Sequence, residues 1–262
     1  MINRFADAIG PWLLPPTCPI CFRSAPSDPD GQSWCHRCQT GLRSCLIDPS
    51  RVCRRCSLPV DGGVRTDQTG RGPDKCAQTE PSLCQSCETE FDPAIDQMLC
   101  RFAYHDLVSR AVVSSKYATR TGLIRSFAAE MHAMWIQADI PPPDCVTFVP
   151  SHHWRRLVRG GCSAAVLAGD LARRVRLPCR RLATVTRRIA KQSKLPDDQR
   201  ELNVRGAFRI RRRHRRSIGE KHIVLVDDVI TTGSTTRQIA EQLRDAGAAR
   251  VTVMSIARTI RR

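Results

Sequence analysis

Two adjacent carboxylates stand near the C-terminus of this 262-residue chain, between an aliphatic run and a loop of small residues. The stretch reads IVLVDDVITTGST, residues 223–235, and its acids are Asp227 and Asp228. The aliphatic run predicts a buried strand, and the loop predicts entry into a helix. Helix N-termini bind phosphate, and carboxylates bind sugar hydroxyls or Mg²⁺. The stretch therefore predicts a sugar-phosphate site at the carboxyl end of a strand.

The loop has one glycine, and we expect Gly233 to let the backbone approach the anion because it carries no Cβ. A simpler alternative is a strand followed by a helix that Ser234 caps, with both aspartates in solvent. The residue types alone leave this alternative open.

A second set of reactive side chains lies in residues 1–95, which contain 10 of the 14 cysteines. Eight of them form four Cys-x-x-Cys pairs: Cys18 and Cys21, Cys35 and Cys38, Cys53 and Cys56, Cys84 and Cys87. Each pair is typical of a zinc knuckle, so eight thiolates predict two Cys₄ zinc sites. Sequential pairing of the knuckles is the simplest arrangement, and spacing alone leaves an interleaved pairing open. Four thiolates fill the tetrahedral shell, so both sites are predicted to be structural.

The net charge of +17 is unevenly placed along the chain. Residues 1–95 carry 10 basic and 11 acidic side chains, whereas the remainder carries 32 and 14. This asymmetry favours a polyanionic partner or phosphorylated ligands, although an arginine-rich composition is the alternative.

The densest basic segment is the arginine run, RIRRRHRRS, residues 209–217. Its candidate nucleic-acid contacts are Arg211, Arg212, Arg213, Arg215 and Arg216. Phe208 is the one aromatic residue that flanks the run, so phosphate contact is favoured over base stacking. The alternative is a solvated turn.

The elements that would position these residues follow from the pattern along the chain. Residues 1–95 lack a long periodic segment and need a metal to hold them together, whereas residues 96–262 alternate strands with helices. Strands are predicted at 96–104, 145–150, 223–226 and 251–257, and helices at 107–117, 122–137, 162–175 and 234–247. This alternation predicts an α/β domain with a parallel sheet and helices on both faces. The stretch 184–206 is predicted to be an irregular loop.

No apolar run is long enough to span a bilayer, and the N-terminus lacks a secretory signal pattern. We therefore expect a cytoplasmic protein without membrane insertion.

The stretch 223–235 resembles the signature for 5-phosphoribosyl 1-diphosphate (PRPP) in type I phosphoribosyltransferases. The resemblance implies that Asp227 and Asp228 hold the ribose and that Mg²⁺ accompanies PRPP. The residues that it assigns to the 5′-phosphate are Thr231, Thr232, Gly233, Ser234 and Thr235.

Nearly the whole chain resembles the ComF/GntX family, which joins a zinc-binding segment to a type I phosphoribosyltransferase-like domain. The resemblance rests on PWLLPPTCPIC, the later cysteine pairs, SSKY, FVPSHHWRRLVRG, RRIAKQSKL and NVRGAF. It implies that Arg155 and Arg159 lie on the pyrophosphate side, and that Lys191 and Gln192 belong to a mobile catalytic loop. With Asp227 and Asp228, Lys191 is a candidate catalytic residue.

The sequence departs from the family pattern at GGCSAA, residues 160–165, where an aromatic–Asn–Gln segment is usual, and at Ala190, where threonine is common. Both departures bear on transfer more than on PRPP binding. The family is associated with DNA uptake, which implies single-stranded DNA and DNA-uptake proteins as partners. Two functions follow: a phosphoribosyltransferase, or a non-catalytic protein that binds single-stranded nucleic acid and uses the phosphoribosyl site as a backbone cradle or sensor.

Overall fold

The computed structural model describes residues 17–25, 34–60, 83–89, 94–115, 121–138, 140–151, 162–187 and 204–260. The strands are β1 (Gln97–Ala103), β2 (Cys145–Phe148), β3 (Ala183–Val185), β4 (Phe208–Ile210), β5 (His222–Ile230) and β6 (Arg250–Arg258). Four of them form a parallel sheet in the order β1-β6-β5-β2, and β3 pairs with β4 in an antiparallel two-stranded sheet.

Helices cover both faces of the parallel sheet. They are α1 (His36–Arg43), α2 (Gln85–Thr89), α3 (Asp106–Ser115), α4 (Thr121–Gln137), α5 (Ser163–Arg174), α6 (Arg212–Arg215) and α7 (Ser234–Asp245), with a 3₁₀ turn at Pro49–Arg51. Val224 and Val226 of β5 pack with α3, α4 and α5, whereas Ile223 and Leu225 pack with α7 and the β3–β4 sheet. A strand that is buried on both faces needs a continuous apolar run, which explains the four aliphatic residues at 223–226. The predicted α/β fold with an open parallel sheet is confirmed.

The strand at the start of the stretch 223–235 ends later than the sequence predicted. We expected a strand over 223–226, but β5 extends to Ile230 because its partner β6 continues alongside it, pairing Ile230 with Arg258. Asp227 and Asp228 are therefore part of the strand rather than of the loop after it.

The expected irregular stretch 184–206 also begins later than predicted. Thr184 and Val185 belong to β3, which pairs with β4 from Val185 opposite Phe208 to Ala183 opposite Ile210. Residues 188–203 of this stretch lie outside the described residues.

The Cys-rich region covers the edge of the parallel sheet at β1. The Met98 N–H donates to the Arg54 carbonyl at 2.9 Å, and the Ala103 N–H donates to the Cys45 carbonyl at 2.7 Å. Covering an edge strand satisfies backbone groups that would otherwise pair with another chain. Buried residues from both predicted domains, 1–95 and 96–262, thus share one core, and the boundary between them stays a prediction.

Among the described helices, none combines the length and apolarity needed to cross a membrane.

Candidate functional site

The acidic pair lies where β5 continues beyond β2. The pairing of β2 with β5 ends at Phe148 opposite Val226, and one further backbone bond joins Val149 to Val226. Among the described residues, β5 is paired from Asp227 onward on its β6 side only, so the described part of the sheet has an open notch at its carboxyl edge. Asp227 and Asp228 are half-buried there. This is the position at which open α/β sheets bind ligands.

The two carboxylates point to opposite faces of the sheet, because successive strand residues alternate. Asp228 faces α5, where the Ser163 hydroxyl donates to its Oδ2 at 2.8 Å. Asp227 lies on the α7 face, in register with Ser255, whose hydroxyl donates to the Cys100 thiol at 3.2 Å. A ligand that meets both acids must therefore lie across the end of the strand.

A turn over residues 231–233 joins β5 to α7. Gly233 adopts φ +85°, in the left-handed region that side chains with a Cβ disfavour. A Cβ at this position would meet Arg258 Nη1 and the Thr236 hydroxyl at 3.8 Å, which is ordinary contact. The glycine is thus required by its φ angle, and our expectation that it lets the backbone approach an anion stays a prediction.

The first turn of α7 presents the backbone N–H groups that a helix leaves without internal partners. Gly233 rather than Ser234 is the N-cap residue, and Ser234 is the first residue of the helix. The Thr232 and Ser234 hydroxyls lie 2.7 Å apart, and the Thr236 hydroxyl donates to the Gly233 carbonyl at 2.8 Å. The alternative in which Ser234 caps the helix is therefore wrong as to the capping residue, and the Ser234 hydroxyl instead contacts that of Thr232 in the turn.

Two residues near the loop were missed by the sequence analysis. Ser163 was seen only as part of a departure from the family pattern, and no local signal connects it to Asp228, 65 positions away. Arg258 is 4% exposed, and its Nη1 donates to the Thr231 carbonyl at 2.8 Å. Its position at the carboxyl end of a strand beside the signature strand was an available signal.

Four residues that the family resemblance assigned to the site are not described by the structure. Arg155, Arg159, Lys191 and Gln192 lie outside the described residues, so their roles stay predictions.

The eight paired cysteines form two compact clusters. Cys18, Cys21, Cys35 and Cys38 form one, and Cys53, Cys56, Cys84 and Cys87 form the other. In each, the four sulfur atoms lie within 4.8 Å of one another. The Sγ atoms of Cys21 and Cys35 are 3.4 Å apart, and those of Cys56 and Cys84 are 3.6 Å apart. Zinc–sulfur bonds of about 2.3 Å place tetrahedral sulfurs roughly 3.8 Å apart, so both clusters fit structural zinc. The Cys-x-x-Cys pairs therefore combine sequentially, the first with the second and the third with the fourth, as in the simplest predicted arrangement.

Crowding of four sulfurs shifts their pKa values in opposite directions. A hydrogen bond from Cys56 lowers the pKa of Cys53 to about 4, while the same contact raises the pKa of Cys56. Burial raises the pKa of Cys87 to about 12. A divalent cation would replace the thiol protons and satisfy all four thiolates.

The arginine run begins within β4 and continues toward the amino end of β5, away from the acidic pair. Its central residues form α6, and Arg212, Arg213, Arg215 and Arg216 are exposed. Asp227 lies five positions after His222 along β5, which is about 16 Å of extended chain. The side chain of Phe208 is 5% exposed and contributes to the core, so it is unsuited to stacking on a base.

An open parallel sheet that carries an acidic pair and a glycine turn at the end of a central strand defines a protein of the type I phosphoribosyltransferase-like fold. The family model for the phosphoribosyl transferase domain matches residues 162–261. The chain belongs to the ComF/GntX family, whose zinc-binding N-terminal segment corresponds to the two cysteine clusters.

Three relatives support this assignment. The chain is 37% identical to the DNA utilization protein YhgH of Escherichia coli O157:H7, over 98% of this chain and 95% of that protein. It is 27% identical to Competence protein F of Haemophilus influenzae, over 67% of this chain and 78% of that protein. The YhgH protein of Escherichia coli O6:H1 is 38% identical over 45% of this chain, and the match spans 51% of that protein, about half its length.

Proposed function

We propose that this chain binds PRPP, or another phosphoribosyl ligand, at the carboxyl end of β5 and transfers the phosphoribosyl group to a nitrogen nucleophile. The observation that carries the proposal is the notch beside β2, where Asp227 and Asp228 stand half-buried next to the turn into α7. In this assignment the carboxylates hold the ribose hydroxyls. The turn and the first N–H groups of α7 hold the 5′-phosphate.

In the proposed reaction, the bond from ribose C1 to a pyrophosphate oxygen breaks and a bond from C1 to the acceptor nitrogen forms. Pyrophosphate leaves with the bonding electrons, an N–H acceptor releases its proton to solvent, and C1 carries positive charge in the transition state. Asp227 and Asp228 are fixed anions near this charge and favour the transition state electrostatically. The carboxylate oxygens also fit Mg²⁺, which supplies positive charge for the leaving pyrophosphate.

Asp228 is held in place by contacts on both of its carboxylate oxygens. The Val229 N–H donates to Oδ1 at 2.8 Å, and the Ser163 hydroxyl donates to Oδ2 at 2.8 Å. A carboxylate fixed in this way does not have to reorganise when a ligand arrives, which supports a binding role.

The test is a calorimetric titration of the purified chain with PRPP and Mg²⁺, followed by product analysis with nucleobases present. Release of pyrophosphate and a new nucleotide would establish transfer. Binding without consumption of PRPP would support a sensor or a non-catalytic cradle. Absence of both binding and turnover would contradict the proposal.

A second candidate function is binding of single-stranded DNA through phosphate contacts. It is favoured by the exposed arginines of α6 and by the charge that surrounds them: burial lowers the pKa of His214, and Arg213, Arg211 and Arg180 lower it further. A bound phosphate would relieve this crowding of positive charge. The names of the two kinds of relative, DNA utilization protein and Competence protein F, support a role in DNA uptake or use. Our proposal includes DNA-uptake proteins as partners and a cytoplasmic location.

A further inference from the structure

A buried arginine lies directly beneath the turn into α7. Arg258 is the last residue of β6, pairs in register with Ile230, and is 4% exposed. Its Nη1 donates to the Thr231 carbonyl, and its Nε has no hydrogen-bond partner in the described part of the chain. Burying a hydrogen-bond donor without an acceptor lowers the stability of the fold, so such a donor in a native structure calls for a functional explanation.

In the part of the chain that the structure describes, the charge of Arg258 lacks a counter-ion as well. Within the described residues, no carboxylate lies at ion-pair distance from its guanidinium. Removing a charged group from water is costly when nothing compensates the charge. Arg258 lies against the inner side of the turn, since its Nη1 would be 3.8 Å from a Cβ on Gly233. An anion bound on the outer side of the same turn would provide that compensation.

The contact to Thr231 also sets the direction of a neighbouring donor. The described chain contains no cis peptide bond, and in a trans peptide the carbonyl and the next N–H point in opposite directions. Because Arg258 holds the Thr231 carbonyl toward the core, the Thr232 N–H points away from the core. That N–H donates to no atom in the part of the chain that the structure describes.

We propose that Arg258 is the positioning residue of the 5′-phosphate cradle: it turns the Thr231–Thr232 peptide so that the Thr232 N–H faces the phosphate, and it supplies the buried positive charge. This inference rests on the proposed phosphoribosyl site. It assigns to the 5′-phosphate a residue outside the signature stretch.

The experiment compares Arg258→Gln with Arg250→Gln in the full zinc-loaded chain. Arg250 begins the same strand, about 26 Å away along β6, and serves as the matched control. Ribose 5-phosphate and magnesium pyrophosphate are titrated separately by calorimetry, and folding is checked by circular dichroism. We expect Arg258→Gln to weaken ribose 5-phosphate about tenfold or more, or ~1.4 kcal/mol. Pyrophosphate affinity and both affinities of Arg250→Gln should stay within about twofold, a difference of ~0.4 kcal/mol.

A loss of affinity for ribose 5-phosphate but not for magnesium pyrophosphate distinguishes a positioning role of Arg258 from a general disturbance of the fold. Equal loss of both ligands, or no loss of ribose 5-phosphate, would overturn the inference while leaving the proposed function standing. If the wild-type chain binds neither ligand, the proposed function itself fails and the inference fails with it.

If Arg258→Gln does not fold, the Arg258→Lys variant tests whether Arg258 positions the phosphate cradle. Lysine keeps the charge but lacks the planar fork. We expect it to weaken ribose 5-phosphate about threefold or more, or ~0.65 kcal/mol. If the Arg258→Lys chain folds and binds ribose 5-phosphate with wild-type affinity, Arg258 has only a structural role in the core and the inference is overturned.

Discussion

Replacing Trp34 by alanine tests whether the first cysteine cluster and the parallel sheet form one folding unit. Trp34 directly precedes Cys35 and is 3% exposed. Its ring packs against Phe127 of α4, with centroids 5.7 Å apart, and its Nε1 donates to Glu130 Oε1 at 3.3 Å. The side chain thus joins the Cys-rich region to the helix layer of the C-terminal region.

The expected loss follows from these contacts. Truncating a buried tryptophan costs roughly 3–5 kcal/mol, because it removes apolar contacts and leaves a cavity. Glu130 keeps its two bonds to Arg101, at 2.9 and 3.0 Å, so the substitution leaves no isolated buried charge. We therefore expect about 3–5 kcal/mol less free energy of unfolding, a large part of the 5–15 kcal/mol typical of a domain.

The assay is urea unfolding of the zinc-loaded chain, followed by far-ultraviolet circular dichroism. Trp34→Phe keeps an aromatic ring but loses the bond to Glu130, so it should cost about 1 kcal/mol from that bond, plus a packing change. Ile136→Ala, at a side chain that is 69% exposed, should stay within about 0.5 kcal/mol.

The reasoning would be refuted by a cost below about 1 kcal/mol for Trp34→Ala, since a shared core cannot lose its central contact so cheaply. A two-step wild-type transition in which Trp34→Ala affects only the first step would also refute it. Residues 1–95 would then unfold independently, as expected for two separate domains.

Four further predictions follow from the sites. Metal analysis should find two zinc ions per chain, and a strong chelator should lower the free energy of unfolding, since thiolate–zinc bonds contribute to folding; a metal content near zero would contradict this. Asp227→Asn and Asp228→Asn should each weaken PRPP about tenfold, since a charge-assisted bond contributes roughly 1.5–3 kcal/mol, and unchanged calorimetric affinity would exclude the ribose assignment. Alanine at the five arginines at positions 211–213, 215 and 216 should flatten the salt dependence of single-stranded DNA binding by about 0.7 in the log–log slope per lost contact; an unchanged slope would identify a solvated turn. Burial lowers the pKa of His222 below its usual 6.5, so the unfolded state takes up the proton first, and stability should fall as pH drops below about 6.5, at up to ~1.4 kcal/mol per unit; a slope unaltered by His222→Gln would contradict this origin.

The sequence by itself determined the local chemistry of this protein. Cys-x-x-Cys pairs predict zinc knuckles because two thiolates on one tight turn can share an ion. The apolar run before Asp227 predicts a strand buried on both faces, and Gly247 predicts the end of α7, where the structure has φ +94°. These features depend on neighbours within a few positions, so a single sequence contains them.

The tertiary structure alone decided how distant parts meet. The length of β5 is set by its pairing with β6, and no local pattern shows where that partner ends. The knuckle pairing, the contact of Ser163 with Asp228, and the place of Arg258 beneath the turn each join residues 14 to 65 positions apart. A sequence records which groups are present, whereas their approach depends on the packing of whole strands and helices. For this reason the ligating and anion-binding residue types were predictable, but the neighbours that orient them were not.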